Sequence, residues 1–152
     1  LNDPGIYGLR WLRNGGLQTL ADFGLGGLSH KPSVTELERV AGALEVKLGT
    51  ALIEWRDARP LLWTSGTLAV VHAAADPLVS LDSQDTETLL YGCGAFLRMP
   101  RRDGSWVAHG HTIVEQPTCE GSRISVDTGA IHTGRLTAAI IAPEGKVDIV
   151  CA

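Results

Sequence analysis

Trp106-Val107-Ala108-His109-Gly110-His111-Thr112 is a short apolar run that ends on two imidazoles flanking a glycine. A run of this length halted by Gly reads as a strand giving way to a turn. Working outward, the same pattern recurs on both sides. Leu68-Ala69-Val70-Val71 ends on His72, and Arg123-Ile124-Ser125-Val126 ends on Asp127. Three short strands that each finish on a His or an Asp predict a sheet with a polar site along one rim. Ligands of α/β proteins commonly sit at such strand ends.

Further from this centre the organisation changes once. Upstream of Pro60 the apolar residues follow a helical period. Residues 4–24 predict two short helices broken at Asn14-Gly15-Gly16, where glycine supplies the positive φ of a helix end. Ser33 followed by Glu36 has the spacing of a capping box, and Leu37, Val40, Ala41, Leu44 and Leu48 line one face of the helix it opens. A further short helix is expected to carry Leu52, Ile53 and Trp55.

Downstream of Pro60 the period falls to two. Leu61 to Thr64, a turn at Ser65-Gly66 and Thr67 to Val71 predict a hairpin. Asp85 is expected to open one helix through Leu89, Leu90 and Phe96, stopping near Pro100. Strands at about 106–108 and 123–127 follow. Residues 136–141 and 147–151 close the chain as a hairpin around Pro143-Glu144-Gly145. The expected class is α/β. A helical segment over 1–59 precedes an α/β part over 60–152, with strands 67–71, 105–108, 123–127 and 136–141 in one mixed sheet.

Composition narrows the function. Hydrophobic content of 44% against 20% charged residues excludes a disordered chain. The net charge of −4 argues against nucleic acid as partner, because a phosphate backbone calls for a basic surface. No apolar run approaches a bilayer span and no signal peptide is read, so a cytoplasmic protein without a membrane partner is expected. Cys93, Cys119 and Cys151 are odd in number and widely spaced, as reduced thiols would be.

Five pieces, taken in order, resemble one family. They are Val71-His72-Ala73, Gln84-Asp85 leading to Leu89-Leu90-Tyr91, His109-Gly110-His111-Thr112, Val126-Asp127-Thr128-Gly129-Ala130 and Thr133-Gly134-Arg135-Leu136-Thr137. In this order and spacing they resemble the bacterial and phage-lambda type of serine/threonine protein phosphatase, within the calcineurin-like metallophosphoesterases. Trp11-Leu12-Arg13-Asn14-Gly15-Gly16 is similar to the segment that follows the Gly-Asn-His-Glu motif of those enzymes. The Gly-Asp-x-His-Gly, Gly-Asp-x-x-Asp-Arg-Gly and Gly-Asn-His-Glu motifs themselves do not occur in these 152 residues. The resemblance therefore implies the C-terminal part of such a β-sandwich domain with flanking helices, truncated at its N-terminus.

What the resemblance implies about chemistry is specific. The intact enzyme would hydrolyse phosphoserine or phosphothreonine esters with a water activated by two divalent ions, Mn, Fe or Zn. His72 and His111 match two ligands of one and the same ion. Asp127 and His109 are candidates for the surrounding shell. For Asp127 the competing view is a turn carboxylate satisfying backbone N–H groups, and for His109 it is a ring on the opposite face of its strand. Arg135 either pairs with a core carboxylate or is a solvated strand-end cation. The His that would protonate the leaving group is expected outside this chain, which leaves no catalytic residue within it, and the substrate-binding residues are unknown. Cys93 stands where many relatives carry the Arg of a Trp-x-Arg that grips phosphate, and a thiol cannot replace that bidentate cation. Partners would be a phosphorylated protein or a small phosphoester. Two other functions fit the same residues: a symmetrical dinucleoside tetraphosphatase, or a non-catalytic binding module whose histidines are structural.

Overall fold

The computed structural model describes residues 3–152 and divides into two compact units, 1–59 and 60–152. In the first unit, α1 (Pro4–Trp11) and α2 (Leu17–Asp22) are separated by a break in which Asn14 and Gly15 leave the helical region, Gly15 at φ 96°. Gly16 answers a different demand. Its φ is ordinary, but a Cβ there would lie 2.6 Å from the Trp11 ring, so only glycine lets that indole lie across the chain.

α3 (Val34–Leu48) begins on the expected capping box. Ser33 Oγ accepts from the Glu36 N–H at 3.3 Å, and Glu36 Oε2 accepts from the Ser33 N–H at 2.8 Å. Glu36 Oε1 also accepts from the Ser29 N–H. These backbone donors, Ser33 first and then Ser29, hold the Glu36 carboxyl down at about 2. Leu37, Val40 and Leu44 bury one face against Leu12 and Leu20, with Trp11, Phe23 and Leu48 at the margin. α4 (Thr50–Asp57) follows and leaves Leu52 and Trp55 exposed.

The second unit is built on a five-stranded mixed sheet. Its strands are β1 (Leu62–Ser65), β2 (Leu68–Val71), β3 (Trp106–His109), β4 (Thr118–Glu120) and β5 (Arg123–Ser125), in the order β1-β2-β3-β5-β4. The two edge strands are antiparallel to their neighbours, and the central β2, β3 and β5 run parallel. Two helices, α5 (Thr86–Tyr91) and α6 (Gly94–Arg98), lie in the connection from β2 to β3. Ala69, Val71 and Val107, at alternate strand positions, pack with Leu89 and Phe96 into the core. After β5 come α7 (Ala130–Thr133), β6 (Thr137–Ile141) and β7 (Val147–Cys151).

Several expectations are corrected. The single helix from Asp85 to Pro100 is two, because Gly92 takes φ 87° and Cys93 is extended between them. β6 does not join the mixed sheet; with β7 it forms a separate two-stranded sheet. The first hairpin turns through Gly66 and Thr67, one residue later than expected, which places glycine (φ 58°) where positive φ is needed. The β4–β5 hairpin was not anticipated at all. Its turn, Gly121-Ser122, has both residues at positive φ, the form that matches strand twist. Among the described residues no helix is long and apolar enough to cross a membrane.

Candidate functional site at the ends of the parallel strands

The three parallel strands end level with one another. The Gly110 N–H donates to the His72 carbonyl at 2.9 Å, and the Val126 N–H donates to the His109 carbonyl at 3.1 Å, so the ladder continues past each strand. His72, Gly110-His111 and Asp127 are thereby brought to a single rim. Asp85 starts α5 by accepting from the Thr88 N–H at 2.8 Å, and the Leu89 carbonyl at the far side of that helix receives the Ala73 N–H. The residue after His72 is thus anchored to a helix as well as to the sheet.

His111 sits in strained backbone. Its φ is 63°, and the Thr112 N–H donates to the Gly110 carbonyl at 2.7 Å, which closes a γ-turn of the rare positive-φ kind. Non-glycine residues enter this region at an energetic cost, and strained backbone of this kind clusters at functional sites. The turn reverses the chain at the strand end, and the His111 ring meets that of His72. Their ring centroids are 4.9 Å apart at an interplanar angle of 60°. Two imidazoles sharing one ion, with bonds of about 2.0–2.1 Å and ligand angles between octahedral and tetrahedral, have centroids roughly 4.5–5.2 Å apart. The observed spacing falls in that interval.

The surrounding groups favour a neutral His72 ring. Partial burial lowers the His72 pKa below 6.5, and the neighbouring His111 lowers it further, against the opposing pull of Asp127. A neutral imidazole keeps the lone pair a metal requires. Asp127 holds the Gly129 N–H through Oδ1 at 2.9 Å, so the turn role weighed for it is present. Its other oxygen flanks Gly110. A Cβ built on Gly110 would lie 3.7 Å from Asp127 Oδ2 and 3.7 Å from the His72 carbonyl, which is ordinary contact. The glycine is therefore not required by packing, and it leaves a methyl-sized opening between the carboxylate and the His72 backbone.

His109 belongs to the other side of β3. Its ring is buried and meets Phe96 edge to face at 4.8 Å, with Nε2 2.8 Å from Ser125 Oγ. Cys93, which falls within the single helix expected from Asp85, instead occupies the extended break before α6, half-buried against the sheet core. Arg135 meets neither expectation: it donates to the Glu115 backbone carbonyl, and its buried Nε has no partner.

Two polar clamps hold the loop after His72, and nothing in the sequence indicated their contacts. The Gln84 amide accepts from the Asp76 N–H and donates to the carbonyls of Asp76, Val79 and Ser80. The buried Arg101 guanidinium donates to the Asp76 and Val79 carbonyls and pairs with Asp103. Neither spacing nor periodicity marks a side chain whose partners are backbone groups brought near by folding.

Among the described residues no group of three or more His, Cys, Asp and Glu side chains is placed to hold one ion. The donor set at the rim is two imidazoles, with a carboxylate beside them. It fits part of one metal's shell, through His72 and His111. It does not furnish the donors of a second ion. No family model matches this chain, and no curated protein matches it.

Proposed function

We propose that His72 and His111 are two ligands of one divalent ion, Mn, Fe or Zn, in a phosphoesterase of the calcineurin-like superfamily. Its substrates are phosphoserine and phosphothreonine esters. The observation that carries this reading is the convergence of the two rings, 4.9 Å apart, at the ends of adjacent parallel strands. It is supported by the Gly110 opening and by the order of the five sequence pieces around it. An ion so held would activate a water and draw charge from the phosphoryl oxygens. This chain's own contribution is to hold two imidazoles at fixed separation with Asp127 alongside. The remaining ligands, and the group that protonates the leaving oxygen, come on this reading from residues outside the 152.

Zinc titration of the chain, followed through the ring nitrogens by long-range ¹H–¹⁵N correlation, tests the site directly. The His72 and His111 signals should move together with a single stoichiometry, while His30 and His132 stay in place. Ring signals that do not move, or that move equally at all four, would leave the pair a structural contact and the phosphoesterase reading without its basis.

A further inference from the structure

Gly110 carries a load that neither histidine ligand explains. Its carbonyl accepts from the Thr112 N–H at 2.7 Å, which closes the γ-turn, and is also 3.1 Å from His109 Nδ1. A carbonyl oxygen only accepts, so Nδ1 must carry the ring proton. Nε2 is then the acceptor, and the Ser125 hydroxyl, 2.8 Å away, is its donor. The chain of bonds therefore runs Ser125 O–H to His109 Nε2, then His109 Nδ1–H to the Gly110 carbonyl. It starts on β5, crosses the buried face of β3 and ends on the peptide that positions His111. At its other end the same Gly110 residue donates to the His72 carbonyl.

We propose that His109 and Ser125 are positioning residues: their buried hydrogen-bond relay pins the Gly110 carbonyl and so holds His111 in its strained turn facing His72. Several features fit this role better than simple core filling. The ring is 2% exposed, packs edge to face on Phe96 and has both nitrogens committed, so its rotamer and tautomer are locked. An apolar residue of similar size would fill the space equally well but would leave Gly110 without its second donor. A positive-φ histidine persists only where its surroundings over-determine it, and the relay supplies that determination from the far side of the sheet.

The relay itself needs no metal, whereas its effect on affinity rests on the proposed function. His109→Phe keeps the ring packing on Phe96 and removes the donor, while His109→Asn returns an amide N–H near the place of Nδ1. In the metal-free chain, His109→Phe should abolish the nuclear Overhauser contact between the His72 and His111 rings. It should also speed exchange of the Thr112 amide, and His109→Asn should preserve both. With zinc, His109→Phe should weaken binding at the pair by about tenfold, the lower end of what loss of a supporting group costs a metal site. His109→Asn should restore most of that loss. Should His109→Phe fail to fold, Ser125→Ala, which deletes the hydroxyl that fixes the His109 tautomer and ring, tests the relay at its first link. It should move the same two readouts in the same direction. An unchanged ring contact and unchanged Thr112 exchange in a folded His109→Phe or Ser125→Ala protein would overturn the relay, whatever zinc does. Absence of zinc binding in the unsubstituted chain would overturn the metal reading alone, and the ring contact and amide exchange would still decide the relay.

Discussion

Phe96→Ala should strongly destabilise the second unit while leaving the first intact. Phe96 is 1% exposed and lies where α6 meets the sheet, against Val107, Leu89 and the His109 ring. Removing a ring that buries on the order of 150 Å² forfeits about 4 kcal/mol at ~25 cal/mol/Å². Large-to-small substitutions of buried Phe cost about 3–5 kcal/mol, which agrees. Against a domain stability of about 5–15 kcal/mol, that loss leaves about 1–11 kcal/mol, marginal at the lower end. Hydrogen exchange read by mass spectrometry separates the two units. Peptides covering β2, β3 and β5 should lose protection by a factor near a thousand, and those covering α3 should keep theirs. Phe96→Leu, which retains most of the volume, should fall between. A loss below about 1 kcal/mol for Phe96→Ala would mean that the ring does not seat the helices on the sheet, and the account of this core would fail.

Other outcomes follow from the same contacts. Ser33→Ala should destabilise the first unit by about 1 kcal/mol in denaturant unfolding, because it removes the side-chain half of the α3 cap; no change would mean that the cap is not formed. The Glu36 carboxyl is held at about 2 against an ordinary 4.5, so its contribution is present above pH 4.5 and is lost as pH falls towards 2. A Glu36→Gln protein should lack that slope in its acid melting curve. Burial lowers the His109 pKa below 6.5, as it does for His72, so the unfolded chain takes up protons first. The second unit should therefore lose stability as pH drops below 6.5, and less steeply in His109→Asn. Finally, the 152-residue chain should not turn over p-nitrophenyl phosphate with Mn²⁺. Turnover that His111→Ala abolishes would show that the two-imidazole site suffices and that the proposed need for outside ligands is wrong.

What could be read along the chain is what short-range physics specifies. The Ser33–Glu36 cap, the apolar stripe from Leu37 to Leu44, the break at Asn14-Gly15 and the strands leading into His72 and His111 all depend on residues a few positions apart. Their periodicity and turn chemistry are visible without a fold. The separate β6–β7 sheet, the split of α5 from α6 and the β4 edge depend on which strand finds which partner, and no local pattern carries that choice. The site shows the same division. That His72 and His111 end neighbouring strands is legible in sequence; that their rings meet depends on the parallel register of β2 and β3 and on a positive-φ turn at His111. The contacts of His109, Ser125, Gln84 and Arg101 were decided only in three dimensions, because each has at least one partner 5 to 25 residues away that only the folded chain brings within hydrogen-bond reach.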